Sequence, residues 1–476
     1  MKNILPKLLT LFCLFSLELF PQVGINTTSP DASAVLDMVS TTQGVLTPRM
    51  TSAQRLLIVT PAEGLLVFDT DQNAFYFYNG TEWIELDKRN NYKLVKSVAD
   101  LADELLAGGG ASYLLTSNTY YEINGTITLA APIDINDAYI SGLDANEDVL
   151  VRVGGEIFSG ANGGSLRNLT LVAPGGSIFN LSGSGAETLV FQNCIVANSG
   201  SLGNISSFGV VFMNIIQIVN NSDGITFTNI DSLLLSNVAW FGNNAGTFET
   251  YVGTFSLIEK ISGFCTVPSG AVGIDVSADP TVTTGVINST TFSGAGTYIN
   301  GYTTGSYVGF NFNNAWDINC PGIPVESDAA ATGYYYMAGN TTNTNFVTNN
   351  VAVKVGGLTT SDGLFRMSSI DNRLVYEGRE AREFQVICTG ALDHGTTATP
   401  NGRIYEFFLS KTPNGGSPTL MPAISSERRF SNNDVGNFSM VGLIFLEPGD
   451  AIEIWVSINN ASNVDTDFTR LSVVLK

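Results

Sequence analysis

LRNLTL (166–171), FQNCIV (191–196), FMNIIQ (212–217) and LSNVAW (235–240) decide how this chain folds. Each run is short and apolar and carries one asparagine, Asn168, Asn193, Asn214 or Asn237, and the runs recur at intervals of twenty-one to twenty-five residues. Glycine- and serine-rich turns separate them. A repeat of that length is one coil of a parallel β-helix, in which like residues stack at about 4.8 Å. Buried asparagines in such a stack hydrogen-bond along it, so these four are expected to form an interior ladder. Beyond Trp240 the pattern loosens. FSLIEKISGF (255–264) carries Lys260 in the asparagine's place, and VINSTTF (286–292) follows a longer insertion. Coils continued over 110–350 make a rod of about ten coils and about 50 Å, with loops on one face as its natural contact surface.

Composition fits a secreted β protein. Only 14% of the 476 residues are charged, 44% are hydrophobic and 49 are glycine, so a large core is solvated mainly by amides and hydroxyls. A net charge of −21 repels polyanions and sets nucleic acid aside as a partner. Residues 1–22 read as a signal peptide: Lys2 and Lys7 precede LLTLFCLFSL (8–17), an apolar run too short to span a bilayer. Glu18 ends the run and no A-x-A site follows, which leaves cleavage just before Gln22 or Val23. Cys13 is read as a small hydrophobe of that run. No later segment qualifies as a transmembrane helix.

Four stretches in order, VGINTTSPDASAVLDM (23–38), GVLTPRMTSAQR (44–55), PAEGLLVFDT (61–70) and FYFYNGTEW (75–83), resemble the N-terminal module of secreted and phage-tail-fibre-like proteins of Bacteroidetes bacteria and their viruses. The resemblance implies lineage more than function, because that module precedes many different domains. Physically, LLVFDT and FYFYNG are β runs joined by a turn from Asp69 to Asn73, and Asn79-Gly80 makes a second turn. The Asp69, Asp71, Asn73 spacing is that of a calcium loop, but Ala74 and Gly80 stand where glycine and glutamate are needed, so a hairpin turn is expected. Ser97 then caps a helix carrying Val98, Leu101, Leu105 and Leu106 on one face and stopped by Gly108-Gly109-Gly110. A helix placed there, ahead of YLLTSN and YYEINGTITL, resembles the opening of pectate-lyase-like β-helices. There it would cover the apolar interior and strand edges of the first coil.

From 354 onward LVYEG, REFQVICTG, RIYEFFLSK, VGLIFLEPGDAIEIWVSI and FTRLSVVLK alternate in polarity, as the strands of a β-sandwich do. LEPGDAIEIWV and the β run after it resemble the last strands of complement-type and tumour-necrosis-factor-like jelly-roll heads. That resemblance implies a homotrimer, with Phe407, Phe408 and Trp455 as surplus apolar residues for a threefold interface.

Chemistry is thin. His394 is the single histidine, in the loop ALDHGTTATPNG, with no nucleophile that spacing links to it. A β-helix also hosts pectate lyases, polygalacturonases and phage depolymerases, and glycoside hydrolysis needs two carboxyls about 5 to 10 Å apart. Asp223 with Asp231, the group Asp144, Glu147 and Asp148, or Glu156 with Glu187 would supply them. None forms a paired-aspartate motif, and Arg152 and Arg167 are the only basic residues in the regular coils before Lys260. No catalytic, cofactor or metal residue is assigned. Cys194, Cys265, Cys320 and Cys388 form no C-x-x-C pair, and Cys265 with Cys320 is the one conceivable disulfide. For sugar contact the aromatic candidates are Trp316, Tyr334, Tyr335 and Tyr336, of which three consecutive tyrosines cannot share one strand face. Trp240 is expected inside.

The sequence thus predicts an all-β chain: signal peptide 1–22, attachment module 23–90 with small hairpins, capping helix and right-handed parallel β-helix 91–353, and jelly-roll sandwich 354–476. The expected function is an extracellular trimeric fibre or spike, adhesin-like, binding a surface glycan or protein receptor. A phage tail fibre located in the virion tail and a polysaccharide-degrading enzyme are the alternatives.

Overall fold

Two parallel sheets running along one stack of coils hold the middle of the chain together. The computed structural model describes residues 22–86, 91–340, 342–393, 402–431, 434–459 and 464–476. Residues 1–21 of the expected signal at 1–22, with Cys13, and also His394 lie outside them. One wall of the solenoid is a nine-stranded sheet and the other a fourteen-stranded sheet. In the larger wall the strands Thr188–Ala197, Val210–Val219, Ser232–Trp240 and Thr254–Thr266 pair in register, coil upon coil. Leu189, Val211, Leu233 and Ile258 occupy one interior column, all fully buried. The chain is therefore an all-β solenoid of about nine coils, close to the ten expected.

Its asparagines do not lie where the spacing suggested. Asn168, Asn193 and Asn237 sit at φ of 52°, 52° and 51°, at a bend between two strand segments, with side chains at the surface. Short amide side chains tolerate this left-handed conformation, which explains the repeat. In the coil between those of Asn193 and Asn237 the position belongs to Ile215 (φ 55°), because Gln192 pairs with Asn214 and Cys194 with Ile216. Asn214 is one residue out of line. Further along, the column continues through Ser262 (φ 63°) and Ser289 (φ 58°), so Lys260 is not its occupant. The expected interior ladder of Asn168, Asn193, Asn214 and Asn237 is replaced by a surface corner.

A buried ladder exists one corner later. The amide oxygen of Asn221 accepts from the N–H of Ser199 at 2.9 Å, and that of Asn244 accepts from the N–H of Asn221 at 3.0 Å. Asn221 Nδ2 donates to Asn244 Oδ1, and Asn244 Nδ2 donates to the carbonyls of Ile218 and Phe241. All three residues are buried, and each rung satisfies turn groups that the coil itself leaves unpaired.

Lys260 lies inside. It stands in the column Phe191, Met213, Leu235, Lys260, Ile287, between two leucine-sized hydrophobes. Glu249 from the opposite wall meets it at 2.7 Å and also accepts from Trp240 Nε1 (2.8 Å) and Tyr251 Oη (2.7 Å). Both charges are buried, and the shared network compensates their desolvation.

Short helical turns pack on the core ahead of the first coil, with a different face from the one the sequence pattern named. Ser97 and Asp100 form a capping box ahead of the short helical turns Val98–Leu101 and Ala102–Ala107. Leu101 is buried and Leu105 packs on the core, whereas Val98 and Leu106 face outward. Glu104 points in instead, holding Lys93 Nζ at 2.6 Å and Tyr121 Oη at 2.9 Å.

After the last coils come two six-stranded sheets. One orders Thr332–Ala338, Val464–Leu475, Arg382–Asp393 and Val435–Leu446 side by side; the other orders Arg373–Tyr376, Ala451–Ile458, Arg403–Thr412 and Thr419–Phe430. Their main pairings are antiparallel, and their inner faces share one core. The sheets reach back to Thr332, ahead of the boundary expected at 354. Arg366 fastens this domain to the solenoid: fully buried, it ion-pairs with Asp328 at 2.6 Å and donates to the carbonyls of Asn314, Trp316 and Glu326.

The described residues from Gln22 to Leu86 belong to a separate unit. A four-stranded sheet includes the hairpin strands Leu66–Asp69, Ala74–Tyr78 and Trp83–Glu85, and Asn73 takes φ 53° in its first turn. Its buried centre is small. Arg55, on a turn of helix capped by Thr51, pairs with Asp69 at 2.9 Å and lies 3.9 Å over the Tyr76 ring.

Candidate interaction surfaces

Val67 is the one buried apolar residue among the described residues of the N-terminal unit. Val23, Ile25, Leu36, Val39 and Leu56 are about half exposed or more, and Val35, Leu46, Leu57 and Val59 more than three-quarters. The sequence keeps hydrophobes that its own fold does not cover, and a concentration of this kind marks a protein contact.

In the C-terminal domain the outer face of one sheet is split into two rows. Val441, Ile387, Val474 and Tyr334 lie opposite one another across four strands, an apolar row. Ser439, Thr389, Ser472 and Tyr336 form the adjacent polar row, beside a groove of about 750 Å³ that Asn437 and Arg470 also line. Leu443 and Phe445 extend the apolar side along the edge strand, each more than half exposed. Tyr334 and Tyr336 stack with centroids 5.5 Å apart.

Two other aromatic candidates are taken by the cores. Tyr335 points inward and donates to Asn372 Oδ1 at 2.5 Å. Trp316 is fully buried in the solenoid, donating to Tyr302 Oη at 3.0 Å and packing on Phe312. Neither is available to a surface ligand. Phe407 and Phe408 are buried too, Phe407 stacked on Phe438 at 3.8 Å, and Trp455 is half-buried, so they are not the surplus expected for a threefold interface. Burial alternates along Val435–Leu446 and leaves Val441, Leu443 and Phe445 on the outer face, although the run VGLIFL carries hydrophobes on both faces.

The carboxylates considered for hydrolysis fix loops. Burial alone would raise the pKa of Asp148, but N–H groups of Asp144, Gly125 and Leu143 outweigh it and hold the carboxyl below its ordinary range. Glu187 is lowered to about 2, first by the Ser184 hydroxyl and then by backbone N–H groups of the same loop. Asp223 accepts from the N–H groups of Gly224 and Thr247, Asp231 from the Ser256 hydroxyl, and Asp144 from the N–H of Asn146. Glu156 lies 3.6 Å from Arg152. Cys194, Cys265, Cys320 and Cys388 are all free thiols, which removes the Cys265–Cys320 disulfide. Among the described residues no helix is long and apolar enough to cross a membrane, and no cluster of histidine, cysteine and acidic residues is arranged to hold a metal ion.

No curated protein is significantly similar to the chain. Three crystal structures of murine APRIL, at pH 8.5, 8.0 and 5.0, align with 11%, 13% and 9% identity over 30% of this chain and 98% of theirs, at TM-scores of 0.21, 0.21 and 0.20. Scores that low carry no argument, and the two-sheet domain stands on its own strand pairings. Residues 24–99 match the phage tail like trimerisation region, the stretch that leaves its hydrophobes uncovered. A trimerisation region joined to a β-solenoid fits a trimeric, fibre-like protein, extracellular or virion-associated.

Proposed function

We propose that three copies of this chain assemble through the N-terminal module into a fibre whose solenoids form the shaft and whose C-terminal domains, jelly rolls, bind a receptor on a cell surface. The observation that carries this reading is the exposure of Val35, Leu46, Leu57 and Val59 inside the matched trimerisation region. The apolar row through Val441, Ile387, Val474 and Tyr334 supplies a second contact between copies, and the adjacent polar row faces a glycan or protein receptor. Three heads held together multiply weak contacts into useful avidity. Labelled full-length protein titrated on intact bacterial cells should bind saturably, and Leu46→Glu with Val59→Glu should abolish tight binding by separating the copies. Equal binding by the separated chains would overturn the role of the trimer, and no binding would overturn the receptor.

A bacterial surface fibre and a phage tail fibre share this architecture. The basic and then apolar opening around Lys2, Lys7 and LLTLFCLFSL favours export. Mass spectrometry separates the two: a surface product shorter by about 20 N-terminal residues supports export, and recovery only in virions with Met1 retained supports the tail fibre.

A further inference from the structure

The outer face of the larger solenoid wall carries a series of rings that stops abruptly. Tyr92, Tyr120, Tyr139, Ser165 and Val190 hold the same position in successive strands. Tyr92 and Tyr120 stack at 6.1 Å with planes 11° apart, and Tyr139 follows with 49% of its surface exposed. The next position is only a serine, so a groove of about 550 Å³ opens beside the Tyr139 ring. Arg167 borders it, its Nε donating to Ser165 Oγ at 3.0 Å. That bond anchors the guanidinium, while its two terminal nitrogens have no protein partner among the described residues. Asp137, Asn162 and Glu187 complete the polar rim, and Glu187 is held in place by the hydroxyl and backbone N–H of Ser184.

We propose that this groove binds a neutral sugar chain. The proposal deepens the receptor-binding reading by placing a glycan site on the shaft, and it rests on that reading for the presence of a surface glycan. A pyranose has an apolar C–H face and a rim of hydroxyls. The Tyr139 ring suits the first, and planar guanidinium, carboxylate and amide groups, which can each engage neighbouring hydroxyls, suit the second. Charge selects among sugars. Two carboxylates on the rim and a net charge of −21 repel uronates, sialic acids and phosphorylated glycans, leaving Arg167 as the single cation of the groove. Ser165 sets the width, because any large side chain there would fill the space the sugar occupies.

The test uses the full chain on a printed array of neutral, amino-sugar and uronate-containing oligosaccharides, followed by calorimetric titration with the strongest neutral glycan. Neutral glycans should be retained in preference to uronates. Tyr139→Ala and Ser165→Trp should each weaken binding by about tenfold or more, with Tyr139→Phe close to the parent. Leu106→Ala, at the exposed outer side of the capping turn, should leave this affinity unchanged. Thermal melts matching the parent would confirm that the substitutions, including the one at buried Ser165, keep the fold. Preference for uronates, no retained neutral glycan, or affinity unmoved by Tyr139→Ala and Ser165→Trp would overturn the groove. Subunit number in the same variants reads the fibre separately: a trimer that binds no neutral glycan loses only the groove, whereas a monomer loses the fibre.

Discussion

The solenoid and the N-terminal module treat apolar residues in opposite ways. In the solenoid each coil covers the next, so Leu189, Val211, Leu233 and Ile258 are fully buried within one chain. In the module Val35, Leu46, Leu57 and Val59 are left in water. Covering each would stabilise an assembly by about 1.5–3 kcal/mol. A stack of coils is complete as a single chain; the module is complete only with its copies. Damage to the solenoid should therefore cost stability without changing subunit number, and damage to the module should do the reverse.

The largest effect is expected in the module. Leu46→Glu with Val59→Glu should convert the trimer to a monomer while leaving the solenoid's melting transition in place, as sedimentation and circular dichroism would report. In the solenoid, Lys260→Met should cost about 3–5 kcal/mol, because Glu249 is left buried and unpaired, and adding Glu249→Gln should recover part of the loss. Urea unfolding of the single and double variants checks this. Asn221→Leu should cost about 2–3 kcal/mol by orphaning the Ser199 N–H and removing the Asn221 Nδ2 donor from the carbonyls of Val196 and Val219.

These magnitudes also show how far the sequence could be read. The coil repeat was legible because each period carries its own apolar run, and Ser97 with Asp100 announced the capping turn. Register was not. Asn214 looks equivalent to Asn193, yet the left-handed corner falls on Ile215, since pairing of the flanking strands fixes the bend and the side chain must follow. The true ladder lay in turn segments, where Asn221 and Asn244 read as ordinary loop residues. Burial of Lys260 depends on Glu249 from the other wall, a contact that periodicity within one strand does not encode. Likewise the candidate sites were legible in part: Tyr334 and Tyr336 reach a surface, Tyr335 and Trp316 do not, and the Tyr139 groove depends on a serine whose neighbours are set by coil register.

Smaller effects sharpen the corner. Asn193→Leu should cost about 1 kcal/mol through left-handed strain, and Ile215→Asn should gain a similar amount by relieving it, each read from the unfolding midpoint. Smallest is the acid response of the loops. Folded Glu187 and Asp279 have pKa values lowered to about 2 from 4.5 and 3.8, by the side chains of Ser184 and Thr303 first. A lowered folded pKa gives stability that is complete above the unfolded value and lost as pH falls through the folded one. Hydrogen exchange in these two loops should therefore accelerate from about pH 4.5 down to pH 2, and Glu187→Gln should flatten that response in its own loop.

Subunit number tests the central claim most directly. Sedimentation equilibrium of the full chain over a wide range of concentration should give three chain masses throughout, with no dissociation until the module's apolar residues are altered. A single-chain mass at every concentration would contradict both the trimer and the fibre built on it.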